Sequence, residues 1–117
     1  MSPDPRSGTA SFTSRTVSGI PVIDVTGRLT LGQPVERLRA AVRSALIDGV
    51  KTLILNLDAL EYIDSAGIGE LVATVRFVTA SGASLKLVRL PRRIHDLLRL
   101  TAVLPLFEIR PDEASAL

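Results

Sequence analysis

Cysteine is absent from the 117-residue chain. Disulfides, a thiolate nucleophile and a zinc–thiolate centre are thereby excluded. A single histidine, His95, excludes a metal site built on several imidazoles. Aromatic residues make up 3%, with no Trp, one Tyr and three Phe, too few for the stacking platforms of base-reading modules. No run of 18 apolar residues occurs, so no transmembrane helix is expected. The first eleven residues are polar, carry Pro3 and Pro5, and lack the apolar stretch of a secretory signal. A cytoplasmic location is expected on those grounds. Neither charge sign dominates: 14 basic against 12 acidic residues give +2. The cations are mostly Arg and scattered, with Arg92-Arg93 the tightest pair, which reads as a solvated mixed surface rather than a nucleic-acid footprint.

What is present is aliphatic. Hydrophobic residues reach 46% and charged residues 22%, ordinary globular usage that excludes a disordered chain. The length suits one domain, burying roughly two thirds of the surface of its unfolded state. Residues 1–10 are expected to form a flexible tail and residues 11–117 the domain. Phe12 to Val17 and Ile20 to Thr26 read as a hairpin around Ser18-Gly19, with Gly27 ending the second strand. Pro34 opens a helix whose face is Val35, Leu38, Val42 and Leu46, with Gly49 as its closing cap. Leu53 to Leu57 reads as a central strand covered on both faces. A loop with Asp58, Glu61 and Asp64 follows. The next helix runs from Ser65 or Ala66 to about Ala80, with Ile68, Leu71, Val72, Val75 and Val78 inward. Leu85 to Leu90 is a strand, Pro91 starts a third helix carrying Ile94, Leu97, Leu98 and Thr101, and Leu106 to Ile109 is a short last strand. Asp112 to Leu117 reads as a frayed final helical turn. The alternation predicts an α/β domain: a mixed, mostly parallel sheet of about five strands with an N-terminal hairpin, packed with about four helices.

Sites in open α/β sheets lie beyond the carboxyl ends of strands. That rule points to the segment after Leu57, which runs through Tyr62-Ile63-Asp64-Ser65-Ala66-Gly67-Ile68-Gly69-Glu70. Asp64 or Ser65 suits the N-cap, and Glu70 in the first turns suits the helix dipole. Two glycines early in a helix cost about 1 kcal/mol each relative to Ala. They mark a close approach to the backbone, a tight turn, or capping with close helix–sheet packing. Gly67-x-Gly69 lacks the third glycine of a dinucleotide fingerprint, and no Gly-Lys-Ser/Thr phosphate loop exists. Ile63 stands where a nucleophile elbow needs Gly, and His95 faces away from its helix's apolar stripe, so a hydrolytic triad is disfavoured. No enzymatic activity, metal or cofactor is expected. Ser65 is instead well placed to be modified: a phosphate there gains from the helix N-terminus and adds about −1.5 to −2 of charge next to Asp64, Glu61 and Glu70.

Over residues 12 to 117 the chain resembles the STAS family, the anti-sigma factor antagonists and their relatives. The resemblance rests on Leu55-Asn56-Leu57, on Tyr62 through Gly69, on Gly82 with Leu85-Lys86-Leu87, and on Leu106 to Ile109. It implies partner switching. The serine matching Ser65 would be phosphorylated by an anti-sigma factor that is itself a serine kinase. The unphosphorylated form would bind that kinase and release the sigma factor, and a PP2C-type phosphatase would restore it. By carry-over, Asp64, Ser65, Ala66, Gly67 and Ile68 would form the contact surface, as would Thr30. Two positions depart from the family pattern: Ala66 stands where many members have a second Ser or Thr, and Thr30 where some carry an acid after Gly27-Arg28-Leu29. The alternative is a non-switching STAS scaffold subunit of a stress-sensing or lipid-transport complex. A monomer without nucleic-acid or membrane partners is expected in either case.

Overall fold

The computed structural model describes residues 9–47 and 49–117. Of the segment expected as a tail, residues 1–8 lie outside those described. Thr9 and Ala10 belong with the domain: Thr9 bridges to Arg28, and Ala10 is buried with its N–H donating to the Arg28 carbonyl at 3.0 Å.

The chain begins with the hairpin of β1 (Ser11–Val17) and β2 (Ile20–Leu29), paired antiparallel with Val17 opposite Ile20. Ser18 and Gly19 both hold positive φ, at 51° and 80°. This is the two-residue turn whose twist matches that of the strands. The remaining elements are α1 (Gln33–Ala45), β3 (Thr52–Asn56), β4 (Leu60–Ile63), α2 (Ser65–Ala80), β5 (Ser84–Val88), α3 (Arg92–Leu100) and β6 (Glu108–Arg110). Short 3₁₀ turns cover Leu104–Leu106 and Ala114–Ala116. The sheet order is β1-β2-β3-β5-β6, all parallel after the first pair.

Four expectations change. Among the described residues there are six strands rather than about five, because Leu60–Ile63, expected as loop, pairs parallel with β2. The α-helices among the described residues are three, and Asp112 to Leu117 supplies a 3₁₀ turn rather than a fourth. Gly27 does not end β2. It takes φ 83°, absorbs a register shift, and lets Arg28 and Leu29 continue opposite Tyr62 and Ile63. Gly49 does not cap α1, which stops at Ala45 with Leu46 as its C-cap.

Strand alternation sorts the core into two faces. Ile23, Val25, Leu53, Leu55, Leu85 and Leu87 share one cluster with Leu38 and Val42 of α1, Leu71 and Val78 of α2, and Ile94 and Leu98 of α3. The three helices therefore pack on the same side of the sheet. Among the described residues the opposite face buries only Val22, Ile54 and Val88, beneath Ala116. The C-terminal segment is tied down there by ion pairs and hydrogen bonds. Glu113 meets the Arg15 guanidinium and the Asn56 amide, and Lys86 Nζ donates to the Ala116 carbonyl at 2.9 Å. Thus β3 is covered on both faces, as expected, but by helices on one and a short turn on the other.

Candidate functional site

The long strand β2 sets the site. Its middle pairs with β3 through Val22–Asp24, and its end pairs with β4 through Gly27–Leu29. Leu29 therefore ends beside Ile63, just where α2 begins. The Asp64 N–H donates to the Leu29 carbonyl at 3.3 Å, closing the junction through main-chain atoms.

Asp64 is the N-cap of α2. One carboxylate oxygen accepts from the Gly67 N–H at 2.8 Å, and the other accepts from the Leu31 N–H at 3.1 Å. One side chain thus satisfies an orphan amide of the helix and pins the loop after β2. Burial pushes this carboxyl's pKa up, but the N–H groups of Gly67, Leu31 and Ala66 outweigh it and hold the pKa below the ordinary value. Asp64 is therefore an anion at neutral pH.

The two glycines separate. A Cβ on Gly67 would lie 2.3 Å from the Leu29 carbonyl oxygen and 2.7 Å from Ile63 Cγ1. Gly67 is there because helix and sheet touch. A Cβ on Gly69 would meet nothing within 4 Å, and Gly69 is exposed. Close packing thus accounts for one glycine, while the other leaves bare helix backbone facing outward.

Ser65, the first residue of α2, is exposed, and Ala66 and Ile68 are half-buried. Thr30 is half-buried in the loop that Asp64 pins, so the structure brings Thr30 to the same junction as residues 64–68. Sequence reasoning missed its neighbours. Leu31 is 78% exposed, the most exposed large apolar side chain among the described residues. Tyr62 is half-exposed, with the Arg28 guanidinium 4.2 Å above its ring. An apolar residue between Thr30 and Gly32, in a loop that a cap must hold, was the available signal for Leu31.

Glu70 lies in the second turn of α2, 6% exposed and against α1. There the Arg39 guanidinium donates to it at 2.8 Å, and Thr74 beside it donates to the Glu70 carbonyl at 2.7 Å. Its charge is therefore compensated and adds little to the field at Ser65. His95 is half-exposed on α3 with Asp96 3.8 Å from Nδ1. Among the described residues, no three acidic or imidazole side chains gather as a metal site, and no helix is long and apolar enough to cross a membrane.

Comparison with known proteins extends this picture. The family model of the STAS domain matches residues 11–116. An anti-sigma factor antagonist from Mycobacterium paratuberculosis is 20% identical with a TM-score of 0.75, covering 92% of this chain and 91% of that one. The unphosphorylated anti-sigma factor antagonist SpoIIAA is 23% identical with a TM-score of 0.71, covering 90% and 92%. The murine anion transporter Slc26a9 is 18% identical with a TM-score of 0.74; the match covers 87% of this chain but 18% of the transporter. At these identities the likeness is one of fold.

Proposed function

Because the chain belongs to the STAS domain family, we propose that it is an anti-sigma factor antagonist that works by partner switching, with Ser65 as the switch. In this reading the unphosphorylated face of Ser65, Gly69, Ile68 and the Thr30–Leu31 loop docks on an anti-sigma factor that is also a serine kinase. The sigma factor is then free. In the kinase step the Ser65 hydroxyl oxygen bonds to the γ-phosphorus of ATP, gives up its proton, and ADP leaves. A PP2C-type phosphatase hydrolyses the phosphoserine and restores the docking form. The chain itself performs no catalysis.

The observation that carries this reading is the exposed hydroxyl of Ser65 at the first position of α2, next to a capped and ionised Asp64. The helix N-terminus favours an added phosphate, so the fold tolerates it. The same phosphate places about two further negative charges beside the Asp64 carboxylate, on a surface that also presents an apolar Leu31. The domain need not refold, because each 1.4 kcal/mol of repulsion or lost contact weakens binding about tenfold.

Incubation with the kinase and ATP is expected to add one phosphate to the chain, read by intact mass, and none to Ser65→Ala. Ser65→Ala is expected to keep partner binding, and Ser65→Asp to weaken it about tenfold or more by calorimetry. Phosphate incorporation that persists in Ser65→Ala would sink the proposal. Binding by Ser65→Asp at full strength would favour the non-switching scaffold.

A further inference from the structure

A concavity that Ser65 does not line lies at the carboxyl ends of β5 and β6. It is an open hollow of about 420 Å³ into which Arg89, Arg92, His95 and Arg110 converge, with Leu90, Ile109 and Pro111 as its apolar wall. Arg89 directly follows β5, Arg92 opens α3, His95 stands one turn further, and Arg110 ends β6. Three separate segments therefore bring cationic side chains to one place. Arg89 holds φ 53°, a left-handed conformation uncommon for a residue with a Cβ, and it turns the chain out of β5 at the rim.

No acidic side chain lines the hollow among the described residues. The acids nearby lie outside its wall and offset part of its charge. Glu108 lies 2.9 Å from Arg110 but is shared with Lys86 at 3.6 Å. Asp112 accepts from the backbone and hydroxyl of Ser115, and Glu113 is held by Arg15 and Asn56, although both acids also act on Arg89 through space. Asp96 sits against His95 and Arg99. Arg92 has no acid within ion-pair distance among the described residues. Three guanidiniums facing one concavity repel one another, and an anion in the hollow relieves that repulsion. Guanidinium forks match phosphate oxygens in pairs, and the carboxyl ends of parallel strands are where open α/β sheets take ligands.

We propose that this hollow binds a compact phosphate-bearing anion, a pyrophosphate or a small organic phosphate. A concave site with cations converging from three segments suits a small polyanion, whereas an acidic protein segment would call for an extended stripe. The apolar wall of Leu90, Ile109 and Pro111 leaves room for an organic body beside the phosphate.

The test is a ¹⁵N NMR titration of the full chain at fixed ionic strength, with inorganic pyrophosphate in one arm and ribose 5-phosphate in the other. Saturable shifts are expected at Arg89, Arg92, His95 and Arg110, with a midpoint below about 10 mM, equivalent to a few kcal/mol. Arg92→Gln and Arg110→Gln, each checked for an intact spectrum, are expected to weaken the midpoint about tenfold or more. Ser65→Ala is expected to leave it unchanged, so this proposal and the switch can fail separately. Tighter binding of the sugar phosphate would assign the wall to an organic ligand, and tighter binding of pyrophosphate would assign the site to phosphate alone. Non-saturating shifts matching those of added chloride, equal midpoints in both variants, or a poly-glutamate peptide binding at these residues while both phosphates stay inert would each overturn it.

Discussion

Gly67 and Gly69 are two residues apart in one helix, and their environments predict opposite outcomes for the same change. Gly67→Ala drives a methyl group into the Ile63 side chain and into the Leu29 carbonyl, and the carbonyl cannot retreat without moving β2. A loss of about 1–3 kcal/mol, or more, is expected in urea denaturation. Gly69→Ala meets open space and removes a flexible residue from a helix, so a gain of about 0.5–1 kcal/mol is expected. If the outward face is the docking surface, the stabilised Gly69→Ala protein binds its partner more weakly. Asp64 adds a pH signature. Its folded pKa lies below the ordinary carboxylate value, so its contribution is present above about pH 4 and fades as pH falls through the folded value. Urea midpoints measured from about pH 5 to pH 3 should fall for the native chain more steeply than for Asp64→Asn.

At the level of elements, the α1–α2 contact carries the ion pair of Arg39 and Glu70. Replacing Arg39 alone strands a buried carboxylate, whereas replacing both partners with apolar side chains removes that penalty. Arg39→Met is therefore expected to lower the melting temperature more than the double change Arg39→Met with Glu70→Leu. Equal losses would show that the carboxylate left without Arg39 carries no penalty. The same helix shows what was legible in sequence and what was not. The limits of α2 are written locally, in Asp64 as cap, in the apolar spacing, and in Ser81-Gly82 as stop. The role of Glu70 is not, because its partner is 31 residues upstream and only the packing of two helices brings them together. Strand β4 was hidden for a related reason. Its four residues bury only Leu60 and Ile63, too short a pattern to distinguish from a loop, and its pairing partner lies beyond α1 and β3 in sequence. The candidate site was read in sequence as the run Asp64–Ile68 with Thr30, while Leu31 and the stacking of Arg28 on Tyr62 joined it only through folding.

Across the whole molecule the two sheet faces differ in how they are closed. Three helices cover one, and the last few residues cover the other. Ending the chain after Pro111 would remove Ala116 from Val22, Ile54 and Val88, and would take Glu113 from Arg15 and Asn56. A cooperative transition at lower temperature is expected, by several degrees for about 1–2 kcal/mol in a chain of this size, with increased binding of a hydrophobic dye. An unchanged melting curve would show that the turn is not part of the cooperative unit. The end of β2 has a different consequence, for what a substitution there can change. The acceptor that receives Asp64 and abuts Gly67 is a carbonyl, not a side chain. Every residue type at position 29 would supply it. The junction thus rests on the backbone of β2 and on the residue type at few positions, Asp64 and Gly67 foremost. A change of side chain at position 29 is therefore expected to act through the core that Leu29 fills rather than through the junction with Asp64.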